Sequence, residues 1–553
     1  MHRPPAALPC KLAPDLHRTI RKFTDPTHKM LPPAAPVNER TSDSPKQANA
    51  HRAVHWITLL LLLAFGIALR LANLSRKPFW SDECFSVEIA WLDWRNFLHV
   101  MWWREANMSL YYVLLSAWLH FGHNEFFIRS LSVLMAVATL PAIYWVARML
   151  YDRRVALITC VLFAFNAYSV RYAQEARSYS LFLLLATLSS GFLIAWVRQP
   201  SRRTQIGYIL ASILAVYAHF YALLLVAAQW VVFRWLGSPG SRTREANRDG
   251  YAQLHRAWIT IGLAVLPLLV FVAKTGAGPI RWVPRPGLHD VVEFFEHLAG
   301  GHNGALAGIY TVACIAAIAP LRKQLLARNQ SWETWRCQFL LLWLLFPVLL
   351  TVVLSFARPV FLARYMIFCL PGLLILVAAG LLRIRQSWLL GATLTGILLL
   401  SLQGVFFVYG HDFDTERDAA GAATDFVLDQ AHAGDAIIFY IPATRLPYEY
   451  FRSLRAGENT ASPNFTAQLG PEILFPHHGA GLDYRDFTGK FSAELLHSVA
   501  SSHPRLWVML MNNQPVRGYD PTTAMLKQIL PESFPRLQRW QFPRVEVRLY
   551  SKQ

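Results

Sequence analysis

WLLGATLTGILLLSLQGVFFV, residues 388–408, contains no Asp, Glu, Lys, Arg or His. As a helix rising 1.5 Å per residue it reaches about 30 Å, the thickness of the hydrocarbon core of a bilayer. Its apolar character is continuous rather than alternating, and the run is far longer than a buried strand. Similar blocks recur from Trp56 to Leu74 and from Leu131 to Val146, and 54% of the 553 residues are hydrophobic against 16% charged. That balance excludes a disordered polyelectrolyte and argues against an ordinary soluble enzyme. The predicted fold class is an all-α polytopic membrane protein.

Outward from that block, apolar spans lie near 56–74, 131–149, 155–170, 179–197, 204–219, 220–236, 257–273, 304–320, 338–356, 361–382 and 388–409, eleven in all. The chain carries 53 Lys and Arg against 34 Asp and Glu, a formal net charge of +19. Much of that excess sits in short linkers: Arg148, Arg153 and Arg154; Arg198, Arg202 and Arg203; Arg234 to Arg256; Arg322 to Arg336; Arg383 and Arg385. Basic linkers mark the cytoplasmic side, so the charge orients the bundle rather than binding nucleic acid. The segments 75–130, 171–178, 274–303 and 357–364, richer in acidic and aromatic residues, then face outward. The expected organisation is a disordered cytoplasmic tail at 1–53, a membrane domain at 54–410 and a soluble extracytoplasmic domain at 411–553. It describes a multi-pass protein of the inner (plasma) membrane.

Two stretches need length arguments. Ile206–Leu236 is about 46 Å as one helix, too long for one crossing and short for two, and both flanks are basic. It reads as a hairpin turning near Ala218, His219 and Phe220, with a re-entrant pair as the alternative. Leu110–Phe121 is too short to cross and reads as a surface helix. Before it, Val87, Trp91, Trp94, Leu98 and Met101 recur at helical steps, with Trp102 and Trp103 following, as one stripe lying in the headgroup region. The six cysteines suggest no disulfide framework. Beyond Gly410 the composition becomes that of a small α/β domain, with helices at Asp418–His432 and Ala493–Ser501 and strands at Ala436–Ile441, Leu506–Met511 and Val545–Tyr550.

Ionisable groups at a membrane surface are costly, so four clusters stand out. In Trp80-Ser81-Asp82-Glu83, Ser81 or Asp82 fits a helix cap, and a carboxylate there also suits a general base for an acceptor hydroxyl. Arg171 to Tyr179 fits an interfacial turn with an Arg171–Glu175 pair, or an Arg aimed at a phosphate with a Glu orienting it. Arg364, in Arg358-Pro359-Val360-Phe361-Leu362-Ala363-Arg364-Tyr365, fits a snorkelling side chain or a lipid-phosphate contact. His219, between Tyr217 and Tyr221, fits a structural residue or a ligand for metal or substrate.

These motifs in this order, with Ser86 and the Leu110-Tyr111-Tyr112 helix start, resemble the GT-C glycosyltransferases of the family 39 type. That group includes protein O-mannosyltransferase, lipid A aminoarabinose transferase and rhizobial galacturonosyl transferase relatives. The resemblance runs from about residue 54 to 410. It implies an inverting transferase with a polyprenyl-phosphate sugar as donor and a protein, lipid or glycan as acceptor. By position it gives Asp82 the catalytic role; Glu83, its neighbour, is the next candidate base if Asp82 is only a helix cap. It assigns Arg177 and Arg364 to the donor phosphate, and Glu175, His219 and Tyr112 to binding or orienting substrate. No cofactor is required by the sequence, and metal dependence is open, with His219 and Glu175 as candidate ligands. Many relatives carry His-Pro-Pro before the Leu-Tyr-Tyr, whereas here the residues are Asn107-Met108-Ser109. The competing readings are a flippase or transporter of a lipid-linked sugar, and a scaffold subunit. The first predicts internal repeats and mid-membrane polar groups, which the sequence lacks; the second leaves the four clusters unexplained.

Overall fold

In lipid every backbone N–H and C=O needs a partner within the chain, so the apolar runs become helices. The computed structural model describes residues 45–552 apart from 78, 237–243, 276–282, 301–303, 327–330, 411–418, 440–443, 457–468, 476–492 and 512–520. Most of the expected tail, 1–44, lies outside the described residues. The chain divides into two units, Met1–Thr58 and Leu59–Gln553, and the second holds every element after residue 71.

The helices up to the first bend are α1 (Pro45–Leu71), α2 (Ser81–Ala90), α3 (Trp94–Trp103), α4 (Ser109–Leu119), α5 (Glu125–Leu150), α6 (Arg153–Phe165) and α7 (Ala167–Ala173). Then come α8 (Tyr179–Arg198), α9 (Arg202–Ala218), α10 (Ala222–Leu236), α11 (Arg244–Ala264), α12 (Leu266–Thr275) and α13 (Leu288–Ala299). The bundle closes with α14 (Gly304–Leu326), α15 (Trp332–Ala357), a 3-10 turn at Ala363–Cys369, α16 (Leu370–Leu381) and α17 (Ser387–Gly410). Among the described residues, seven helices are long and apolar enough to cross a membrane, or nine if each bent pair, α6 with α7 and α11 with α12, counts as one span. The remaining two of the eleven expected spans are α9 and α10, 17 and 15 residues long. The chain leaves the helix at His219, in extended backbone, so the break falls where the sequence places it while each arm is shorter than a full crossing.

Each bend has a local cause. Asn166 stops α6 and caps α7: its Oδ1 accepts from the Ser169 N–H at 2.8 Å, and its Nδ2 donates to the Leu298 carbonyl at 3.1 Å. Pro267 follows the α11–α12 break and cannot supply an N–H to the preceding turn. At the centre, α16 is almost wholly buried. It meets α14 so closely that a Cβ on Gly380 would lie 1.8 Å from the Ala313 carbonyl oxygen, so only glycine fits there.

Two expectations for the 75–130 segment are corrected. Helix α2 starts at Ser81 itself, with Trp80 extended before it and no side-chain cap, so Asp82 and Glu83 fall in the first turn and their side chains are directed elsewhere. The Val87–Trp103 stripe is not one helix. Asp93 restarts the chain by accepting from the N–H groups of Arg95 and Asn96 at 3.0 and 3.2 Å, and the new helix turns a different face. Val87 and Met101 are therefore buried, whereas Trp94, Leu98, Trp102 and Trp103 are exposed. Ser109–Leu119 is a short apolar helix, as expected.

The C-terminal region is a five-stranded sheet of order β2-β1-β3-β5-β4, from β1 (Ala436–Phe439), β2 (Glu472–Phe475), β3 (Arg505–Met511), β4 (Arg536–Phe542) and β5 (Val545–Ser551). β1 pairs parallel with β2 and β3, and β5 antiparallel with β3 and β4. Alternation along β1 and β3 gives the sheet two buried faces. Ile438, Val508 and Leu510 pack with Leu526 and Leu530, while Phe439, Trp507 and Met509 join the core continuous with the membrane helices. The expected helix at Asp418–His432 is Ala420–Gln430, and the end of the expected first strand, 440–441, lies outside the described residues. Helices Arg445–Arg455 and Pro521–Ser533 and strands β2 and β4 are additional.

Candidate active site

The first turn of α2 carries Asp82, at the helix end whose dipole favours a carboxylate. Asp82 Oδ2 lies 3.5 Å from Arg177 Nη2 and 3.7 Å from Arg364 Nη1. Three regions far apart in sequence thus converge: α2, the loop between α7 and α8, and the 3-10 turn before α16. The Arg177 side chain is 8% exposed, but those of Asp82 and Arg364 keep 29% and 24%, so the cluster has an open side. Arg177 Nη1 also donates to the Asp82 carbonyl at 3.2 Å, which fixes its reach.

Glu83 sits one residue on and points another way. It is fully buried and takes a two-pronged contact from Arg129, Nε to Oε1 at 2.8 Å and Nη2 to Oε2 at 2.7 Å. The Ala176 N–H donates to the same Oε1 at 2.9 Å. Arg129 Nη1 in turn donates to the carbonyls of Leu74 and Lys77 at 2.8 and 2.7 Å. Glu83 therefore ties α2 to α5 and to the α7–α8 loop, and does not join the open side with Asp82.

The other sequence candidates surround the cluster in two groups. Tyr112, on α4, is 1% exposed and lies in the field of Glu105, Arg177 and Asp82. His219 stacks on Phe182 at 5.1 Å between ring centroids and approaches Tyr365 at 4.6 Å, with Tyr221 at 5.4 Å. Its Nδ1 accepts from the Tyr221 N–H at 3.2 Å, while Nε2 is buried and has no hydrogen-bond partner among the described residues. The Ser178 and Tyr179 hydroxyls, beside Arg177 in sequence, are likewise buried with no such partner among the described residues. Glu175 is buried within the α7–α8 loop, and the Arg171 guanidinium lies 5.6 Å from the Tyr172 ring centroid. Among the described residues, no group of three or more His, Cys, Asp and Glu is arranged to hold a metal, so His219 and Glu175 do not assemble into such a group.

Sequence reasoning missed Glu105, Asn107 and Arg129. Glu105 follows α3 and faces both Arg177 and Asp82; burial pushes its carboxyl up to about 7, Arg177 working against the rise and Asp82 adding to it. Asn107 Oδ1 accepts from the Phe220 N–H at 3.1 Å, and Ser109 Oγ donates to the Tyr217 carbonyl at 3.3 Å. The Asn107-Met108-Ser109 departure thus pins this loop to the His219 hairpin, with Met108 at φ 67° turning the chain into α4. A lone Glu between a Trp-rich helix and Leu-Tyr-Tyr was the available signal for Glu105. Arg129, at the edge of the apolar span near 131–149 and 46 positions from Glu83, gave none.

No family model matches the chain, and no curated protein matches it. Solved structures do. The chain is similar to ArnT from Cupriavidus metallidurans in the apo state, with a TM-score of 0.55 at 13% identity over 91% of this chain and 99% of that one. It is similar to the same protein bound to undecaprenyl phosphate, with a TM-score of 0.54 at 13% identity over 89% and 98%. At these identities the likeness is one of fold. The chain has the GT-C architecture, as the sequence resemblance implied.

Proposed function

We propose that this protein is an inverting membrane glycosyltransferase that moves a sugar from a polyprenyl-phosphate carrier to a hydroxyl group at the outer face of the plasma membrane. The observation that carries the reading is the Asp82 carboxylate with Arg177 and Arg364 both within 4 Å and an open side beside them. Below about pH 7, where Glu105 keeps its proton, two guanidinium groups against one carboxylate leave a net positive charge, which suits the single negative charge of a polyprenyl-phosphate sugar. The fold likeness adds support, since ArnT with this fold binds undecaprenyl phosphate. The buried hydroxyls of Ser178 and Tyr179 are further groups that phosphate or sugar oxygens would satisfy.

In this reading the acceptor oxygen attacks the anomeric carbon from the face opposite the phosphate, and its proton passes to Asp82. The carbon–oxygen bond to the phosphate breaks, and its electron pair stays on the phosphate oxygen. The leaving phosphate gains a full negative charge as it departs. Arg177 and Arg364, already in place, stabilise that developing charge more than they stabilise the bound donor. The acceptor is a hydroxyl of a protein, a lipid or a glycan, and the carrier phosphate is released to the membrane.

The test is transfer of label from a polyprenyl-phosphate sugar into acceptor by the purified full chain in lipid. Asp82→Asn keeps shape but cannot take a proton, so the variant should fold, bind donor and fail to transfer. Near-normal turnover in Asp82→Asn would reduce Asp82 to a counter-ion of the two arginines. Movement of intact donor across the bilayer without transfer would favour a transporter instead.

A further inference from the structure

The C-terminal region carries no motif in its sequence, yet one of its helices, Arg445–Arg455, packs directly on α2, the helix that bears Asp82. The contact centres on Tyr450, which is 2% exposed. Its ring stacks on Phe79 at 5.3 Å and 22°, and on Trp91 at 6.2 Å and 20°. Phe79 lies two residues before the start of α2 and Trp91 immediately after its end, so one side chain grips both ends of the helix.

The grip continues inward. On Phe79 also lies the Arg129 guanidinium, 4.7 Å from the ring centroid, and Arg129 holds Glu83 through two hydrogen bonds. Glu83 accepts from the Ala176 N–H. Tyr450, Phe79, Arg129, Glu83 and Ala176 thus form one line of contacts, and it ends beside both members of the Asp82–Arg177 pair. Asp82 precedes Glu83, and Arg177 follows Ala176. A shift of α2 on loss of the Tyr450 stack would change the distance between the Asp82 carboxylate and the Arg177 guanidinium.

The Arg445–Arg455 helix is braced within itself and against one neighbour. Glu449 is 5% exposed and bonded to two arginines, Arg445 at 2.6 Å and Arg452 at 2.6 Å. Both pairs lie within the helix, four and three positions apart, so they stiffen the turns that carry Tyr450 and travel with the helix as it moves. On the neighbouring helix Ala420–Gln430, a Cβ on Gly421 would meet the Phe451 ring at 2.9 Å, so the two helices lie as close as glycine allows.

We propose that the C-terminal domain is a positioning element for the reaction, with Tyr450 as the positioning residue that holds α2 and thereby sets Asp82 against Arg177. This rests on the glycosyltransferase reading for its kinetic consequence and on geometry alone for its mechanical one.

Two measurements on the full chain in lipid nanodiscs test it. In the first, Tyr450→Ala should lower kcat for label transfer by about 10-fold or more while donor KM changes little, because orientation rather than phosphate binding is lost. Tyr450→Phe, which keeps the ring stack, should restore kcat. Leu526→Ala, in the sheet's other buried face, serves as the control: matched for loss of thermal midpoint, it should leave kcat per folded molecule unchanged. In the second, hydrogen exchange at amides of residues 83–90 should be about 10-fold faster in Tyr450→Ala than in wild type, with α16 unchanged. Unaltered exchange in α2 overturns the proposal whether or not transfer is detected. A kcat loss shared equally by Leu526→Ala also overturns it. If wild type transfers no sugar but α2 loosens in Tyr450→Ala, the enzymatic reading fails and the mechanical one stands.

Discussion

Arg364 touches Asp82 through one nitrogen of a planar fork, with the rest of its guanidinium near the Trp80 and Tyr365 rings at 6.0 and 5.5 Å from their centroids. Lysine keeps the charge and loses the fork and the ring contacts, so Arg364→Lys should weaken transfer about 10-fold. Arg364→Ala should cost about 2 to 4 kcal/mol of transition-state stabilisation, read from kcat/KM against donor. Equal kcat/KM in all three forms would remove Arg364 from the donor site. Glu105 makes a prediction of opposite kind. Its carboxyl, ordinarily at 4.5, stands at about 7 in the folded chain. Between those values the folded protein keeps a proton that the unfolded chain has released, so stability is greatest below the lower value and falls as pH rises toward 7. Glu105→Gln keeps shape without titrating, so its thermal midpoint should decline less than that of wild type over that window. Parallel curves for the two proteins would show that Glu105 is not the source.

At the scale of elements, the Glu83–Arg129 contact joins α2 to α5, with both side chains 1% exposed or less. Removing Glu83 takes away the two-pronged partner of Arg129 and leaves it the Glu125 carboxylate at 3.9 Å, so Glu83→Gln should destabilise the protein by about 3 kcal/mol, more than Asp82→Asn does. Replacing both residues with methionine should recover much of that loss in thermal unfolding, since no charge is then left alone. Recovery of transfer is not expected, because the Ala176 N–H loses its acceptor. The helices themselves were legible in the sequence because a long apolar run has one solution in lipid, and the hairpin break at His219 followed from length and the two basic flanks. The 87–103 stripe was misread because a period of apolar residues says nothing about a restart, whereas the Asp93 cap decides one locally. The Asp82, Arg177 and Arg364 residues were legible as types placed on one side of the bundle. Their convergence was not, since it depends on how α2, the α7–α8 loop and the turn before α16 are packed. Glu83 and Arg129 found each other across 46 positions, beyond the reach of any local pattern.

For the whole molecule, the number of crossings decides where the ends lie. The described residues give nine spans with each bent pair counted once, or eleven if α9 and α10 both cross, and either number is odd. Reporter fusions after Arg203 and after Asp435 should therefore report opposite compartments, the first cytoplasmic and the second outside. The same compartment for both would overturn the charge-based orientation. The stack of Tyr450 on Phe79 and Trp91 has a consequence in time as well as in space. Asp82 emerges from the ribosome early in synthesis, whereas Tyr450 follows only after the last membrane helix has been made. The growing chain carries Asp82, the base of the proposed reaction, for most of its synthesis without the Tyr450 ring. Completion and export of the final segment would then act as the last step of maturation, so that a truncated or stalled chain, though inserted, stays idle.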